Sequence, residues 1–154
     1  MAVAIPVSPP PCDDALEELS VTIGHALPSS YVNFVRCHNG AQPEGNSIVT
    51  SNNEVSVSRF ILVEEVSHLA TSIDGFPANA IPLAEDDSGN YFYVVPETGA
   101  VHFWDHEVDG YSEQVAKDVS EFTDKLAPFD PSQAKLAPSQ VRRVWVNPAF
   151  KPEF

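Results

Sequence analysis

Ala80-Ile-Pro-Leu-Ala-Glu85-Asp-Asp-Ser-Gly-Asn90-Tyr-Phe-Tyr-Val-Val95-Pro-Glu-Thr-Gly-Ala100-Val-His-Phe-Trp104 is the stretch that decides the fold. It holds three short apolar runs, Ala80–Ala84, Tyr91–Val95 and Ala100–Trp104. The last two are rich in the aromatic and β-branched residues that suit a pleated surface. Asp86-Asp87-Ser88-Gly89-Asn90 and Pro96-Glu97-Thr98-Gly99 separate the runs, and both carry turn chemistry. Links this short leave no room for a crossover helix, so neighbouring runs must pair antiparallel. The stretch predicts a meander.

Outward from the meander, helical spacing takes over. On its N-terminal side, Val66, Leu69, Ala70 and Ile73 predict a helix over Glu64–Ile73. Before that, Ser47–Thr50 and Val55–Leu62 read as strands turning at Asn52-Asn53. Leu16, Leu19, Ile23 and Leu27 mark a first helix, with Asp14-x-x-Glu17 as a capping box and Pro28 as its stop. Tyr31, Phe34, Val35 and His38 mark a second, which Asn39-Gly40 ends. On the C-terminal side, Asp105–Gly110 is an acidic loop. Val115, Val119, Phe122 and Leu126 predict a last helix over Glu113–Leu126. The expected class is α+β: a single antiparallel sheet with helices packed mainly on one side.

The 154 residues suit one domain. Four of the 14 prolines fall in residues 6–11 and five in residues 128–152. That divides the chain into a proline-rich N-terminal arm at 1–12, a domain at 13–127, and an extension at 128–154. Val141–Val146 reads as an edge strand, so the extension is expected to pack on the domain.

Charge narrows the function. Against 22 Asp and Glu stand 8 Lys and Arg, a formal net charge of -14. A nucleic-acid binder needs a basic footprint, and anionic lipid attracts bases, so neither is an expected partner. Between Phe60 and Ala116 the chain carries 11 acids and no Lys or Arg. A face of that sign suits a basic protein. The N-terminus lacks the charged and apolar regions of a signal peptide, and no run is long enough for a membrane span. Cys12 and Cys37 read as free thiols in a reducing cytoplasm, although sequence leaves a disulfide between them open.

Catalytic signatures are missing: there is no GxSxG, GxxxxGK[ST], HExxH or GxGxxG. His102-x-x-Asp105-His106 lies where a strand runs into a loop, so its side chains are not expected to converge on a metal. His102 is expected to pair across the sheet, and Asp105 and His106 to organise the turn. Cys37-His38 are adjacent on a helix and point about 100° apart, which rules against a nucleophile–base pair. Asp86-Asp87 sits in a Gly-Asn turn, which favours turn chemistry over acid–base work. No catalytic residue, metal or cofactor is expected.

Four segments carry a resemblance when taken in order. They are Leu27-Pro28-Ser-Ser-Tyr31-x-x-Phe34 with Asn39-Gly40-Ala41-x-Pro43, and Ile81-Pro82-Leu83-Ala84-Glu85-Asp86-x-x-Gly89-Asn90-x-Phe92. Then come Gly99-x-Val101-x-Phe103-Trp104-Asp105-His106-Glu107 and Val115-Ala116-x-x-Val119-x-x-Phe122-x-x-x-Leu126. Over about residues 13–127 the chain resembles the SUKH superfamily, in its cell-wall-synthesis-regulator-like branch. One departure is Ala41, where the family often has a second Gly.

The resemblance implies a non-catalytic α+β domain. Bacterial members are mostly immunity proteins that bind and block a cognate toxin domain, often a nuclease, in polymorphic or contact-dependent systems. A fungal branch contains cell-wall signalling regulators. The expected function is therefore a cytoplasmic immunity protein that occludes a basic toxin. The alternative is a regulatory scaffold whose proline-rich arms take part in recognition. Expected partner contacts are Asp86, Asp87, Glu97, Glu107, Asp109 and Glu113, with Trp104 and Tyr111 as aromatic anchors.

Overall fold

The computed structural model describes residues 3–51, 54–108 and 111–128. In order they form α1 (Asp13–Ile23), α2 (Ser29–His38), β1 (Asn46–Val49), β2 (Glu54–Val55), β3 (Arg59–Phe60), α3 (Val63–Ser72), β4 (Ile81–Glu85), β5 (Tyr91–Val94), β6 (Val101–Trp104), β7 (Ser112–Ala116), α4 (Val119–Lys125) and β8 (Ala127–Pro128). The expected Asn52-Asn53 turn and the Val141–Val146 strand lie outside the described residues. So does the packing of the extension.

The meander is the centre of a five-stranded antiparallel sheet in the order β3-β4-β5-β6-β7. Tyr93 pairs with His102 and Phe92 with Phe103, so successive side chains alternate between two faces. Phe92, Val94, Val101 and Phe103 enter the main core. There they meet Leu19 of α1, Tyr31 and Val35 of α2, Val66 of α3 and Phe122 of α4. Phe122 packs on Phe92 at 4.9 Å and edge-on to Phe60 at 6.4 Å. Tyr93 and Trp104 point to the other face, into a smaller cluster with Phe76 from the segment between α3 and β4. Phe76 meets Trp104 at 5.4 Å, near perpendicular. This is the α+β arrangement with helices gathered on one side of the meander.

The structure adds a second, three-stranded sheet, β2-β1-β8. The expected strand Val55–Leu62 is divided between the two sheets, and Asn46 explains how. Its side chain accepts from Val57 N at 2.8 Å and donates to Val57 O at 2.9 Å. A buried amide thus takes the place of a ladder pair and lets the chain leave β1. Ser58 N then bonds Glu85 O at 2.8 Å and joins the larger sheet.

The expected helix over Glu113–Leu126 is two elements, a strand and a helix. Val115, Val119, Phe122 and Leu126 are all buried, so the apolar spacing was real. It does not require continuous helix, because a strand end followed by a capped helix also points these residues inward. Residue 115 is a bulge, since Val101 pairs with Ala116 while His102 pairs with Gln114. Asp118 then caps α4 by accepting from Glu121 N at 2.8 Å. The Asp14-x-x-Glu17 capping box does not form either: Cys12 precedes α1 without a side-chain cap, and the helix stops at Gly24, before Pro28.

The N-terminal arm is extended and docked. Glu44 N bonds Ala4 O at 3.3 Å, and Ser8 N bonds Cys37 O at 2.8 Å. His38 Nδ1 lies 2.9 Å from Pro6 O. Val3 and Ile5 pack against the main core.

Candidate interaction surface

The β4–β5 turn is built around Asp86. Its Oδ1 accepts from Ser88 N and Asn90 N, both at 2.8 Å, and its Oδ2 accepts from Asn90 Nδ2 at 3.1 Å. A carboxylate with three donors is a turn nucleus, and Asp86 is buried accordingly. Gly89 holds the left-handed conformation the turn needs, with φ 86°.

The β6–β7 loop returns to the same end of the sheet and is tied to that turn. Asn90 Oδ1 accepts from His106 N at 3.1 Å and from His106 Nδ1 at 2.6 Å. Because Asn90 Nδ2 is committed to Asp86, Oδ1 is the acceptor and His106 Nδ1 carries the proton. Asp105 Oδ1 accepts from Glu107 N at 2.9 Å, which fixes the start of the loop. As expected, His102 pairs across the sheet, stacking on Tyr93 at 5.3 Å, while Asp105 and His106 organise the loop.

The structure brings some expected contact residues together and separates others. Asp87 and Glu107 stand exposed at this end. Glu97 is exposed at the opposite end, in the β5–β6 turn, in a shallow depression with Pro28 and Asp118. Glu113 is half-buried and engaged: its carboxylate accepts from Ser51 N at 2.9 Å and from Ser51 Oγ. Burial would raise that carboxyl, but the bonds from Ser51, with those of Thr50 and Tyr111, outweigh it and hold the pKa below the ordinary range. Trp104 is 5% exposed and supports the sheet from within. Tyr111 is half-buried against the main core, and Asp109 lies outside the described residues.

A groove of about 540 Å³ opens beside Asp87, between the β1–β2 hairpin and the β4–β5 turn. Glu44, Glu54 and Asp87 supply its charge, and Ser47, Ser56 and Ser58 its hydroxyls. Ser56 Oγ donates to Asp87 Oδ2 at 3.3 Å. Glu44 and Glu54 escaped the sequence reading because both precede the base-free stretch. The one local signal was Asn46, which opens β1 directly after Gly45 and whose side chain braces the groove wall. Among the described residues, no helix is long and apolar enough to cross a membrane. None of them groups three or more His, Cys, Asp or Glu around a metal position.

Comparison with known proteins finds a family and a relative to which the chain is similar. A family model described as SMI1 / KNR4 family (SUKH-1) matches residues 10–125. The SPbeta prophage-derived uncharacterized protein YokK of Bacillus subtilis (strain 168) is 25% identical over 120 residues. That alignment spans 62% of this chain and 62% of the relative's length.

Proposed function

The chain belongs to the SMI1/KNR4 family (SUKH-1), and from that premise we propose that it is an immunity protein that neutralises a cognate toxin domain by occlusion. The observation that carries the reading is the Asn90–His106 tie, which gathers Asp87 and Glu107 onto one acidic end of the sheet. A toxin that handles phosphate is cationic, and a complementary face speeds encounter and selects partners. The tied turns hold the backbone that carries those carboxylates before binding, which lowers the ordering cost. In this reading the protein acts in the cytoplasm, binds neither nucleic acid nor membrane, and performs no catalysis. A prophage-derived relative supports the bacterial branch of the resemblance over the fungal one.

Co-expression with the toxin domain encoded beside its gene tests the reading. The expected result is restored growth and a complex that survives purification. Asp87→Lys with Glu107→Lys is expected to weaken that complex by about tenfold or more, since like charges across an interface are costly. Glu97→Lys, at the far end, is expected to leave it nearly unchanged. A wild-type protein that neither binds nor protects would sink the proposal.

A second reading, a regulatory scaffold, has one observation in its favour. The arm lies outside most of the matched family segment, and Val7 on it is 84% exposed. Val7→Asp, which spares the packed Val3 and Ile5, separates the two: loss of all partner capture favours the scaffold, and retained toxin binding favours immunity.

A further inference from the structure

The groove beside Asp87 is one-sided in its chemistry. We propose that it seats an extended, lysine- or arginine-bearing segment of the partner protein; this rests on the immunity reading and names where the partner's cations go. Charge complementarity is the first support. Glu44, Glu54 and Asp87 line the groove, and among the described residues no Lys, Arg or His does. None of the three carboxylates is in an ion pair among the described residues, whereas Arg59 is held by Glu65 and Glu85, and Lys125 by Glu121.

Shape is the second support. A volume of about 540 Å³ falls within the roughly 300–1,000 Å³ of ligand-sized pockets. At about 30 Å³ per water it holds on the order of eighteen waters, enough for more than one side chain. One wall is the run 54–58, and among the described residues β2 within it is the end strand of its sheet, beside β1. An end strand offers backbone groups to an added strand, while flanking carboxylates select the cations it carries. Asn46, 4% exposed, braces that wall from behind through Val57. The site is therefore formed before any partner arrives.

The test is an amide-resolved NMR titration of the full chain with acetyl-Lys-Val-Lys-Val-Lys-amide, and with the Glu-Val counterpart as control. The basic peptide is expected to shift the amides of residues 44–47, 54–58 and 87, more weakly at high salt. The acidic peptide is expected to shift none of them. Glu44→Gln/Glu54→Gln/Asp87→Asn, and separately Ser56→Arg, which brings its own cation, are expected to weaken binding about tenfold or more. The neutral triple variant is expected to fold with an unchanged or higher urea midpoint, because it removes like charges without removing an ion pair. Shifts confined to other surfaces, or no shifts, overturn the groove. If the wild type neutralises its toxin and the triple variant binds it as tightly, the groove assignment falls while the immunity reading stands. If the wild type binds no toxin yet the peptide maps to the groove, the immunity reading falls and the groove stands.

Discussion

Oδ1 of Asn90 receives both the backbone N–H and the Nδ1–H of His106, at 3.1 and 2.6 Å, so one side chain joins two turns that are sixteen residues apart. Its Nδ2 meanwhile anchors Asp86 at 3.1 Å. Asn90→Ala leaves the buried Asp86 carboxylate and the part-buried His106 N–H each short of one partner. The expected cost is about 1–3 kcal/mol in urea unfolding. His106→Phe is expected to cost less, because His106 is exposed and its backbone bond to Asn90 survives. An Asn90→Ala variant as stable as wild type would show that the tie contributes nothing.

Asp118 separates two pictures of residues 113–126. In the structure it caps α4 through Glu121 N. In a continuous helix over that range it would be a mid-helix aspartate, a poor helix former. Asp118→Ala is therefore expected to destabilise by about 1 kcal/mol, the usual worth of a lost cap. A stabilising Asp118→Ala would favour the continuous helix. Thermal unfolding of the single variant is sufficient.

The contrast between the meander and the segment after it shows what the sequence made legible. Tyr91–Val94 and Val101–Trp104 declare themselves because β-favouring residues and tight turns leave one pairing. Val115, Val119, Phe122 and Leu126 do not, because burial alone produces their spacing in either conformation. The Asp118-x-x-Glu121 cap was the available signal. The second sheet was hidden for a different reason: the side chain of Asn46 replaces a ladder pair, and no periodicity encodes that. At the candidate surface, Asp87 and Glu107 were readable as exposed turn acids. Asp86 and Glu113 look the same in sequence and are consumed by turn and strand contacts. Glu44 and Glu54 join Asp87 only through the passage of the chain from one sheet to the other.

Gly24 and Gly40 both hold positive φ, 75° and 72°, but in different surroundings. A Cβ on Gly24 would meet nothing within 4 Å, whereas one on Gly40 would fall 2.5 Å from Leu62 Cδ2 and 2.8 Å from its Cγ. Gly24→Ala carries conformational strain alone, about 1–2 kcal/mol. Gly40→Ala adds displacement of Leu62, for a total of about 2–5 kcal/mol. Equal losses for the two variants in urea titration would mean that Leu62 moves aside freely.

His102 gives the fold an acid-sensitive element. Its Nδ1 is buried without a hydrogen-bond partner among the described residues, and its ring stacks on Tyr93. Burial lowers its pKa below the ordinary imidazole value of 6.5. The folded state thus resists a proton that the unfolded chain accepts. Stability from this group is complete above about pH 6.5 and falls as pH drops from there toward the lower folded pKa. His102→Phe keeps a ring on Tyr93 and cannot titrate. The wild-type protein is expected to lose stability between pH 7.5 and 5.5 relative to His102→Phe, as read from urea midpoints at each pH. Parallel curves for the two proteins across that window would mean that His102 titrates alike in the folded and unfolded states.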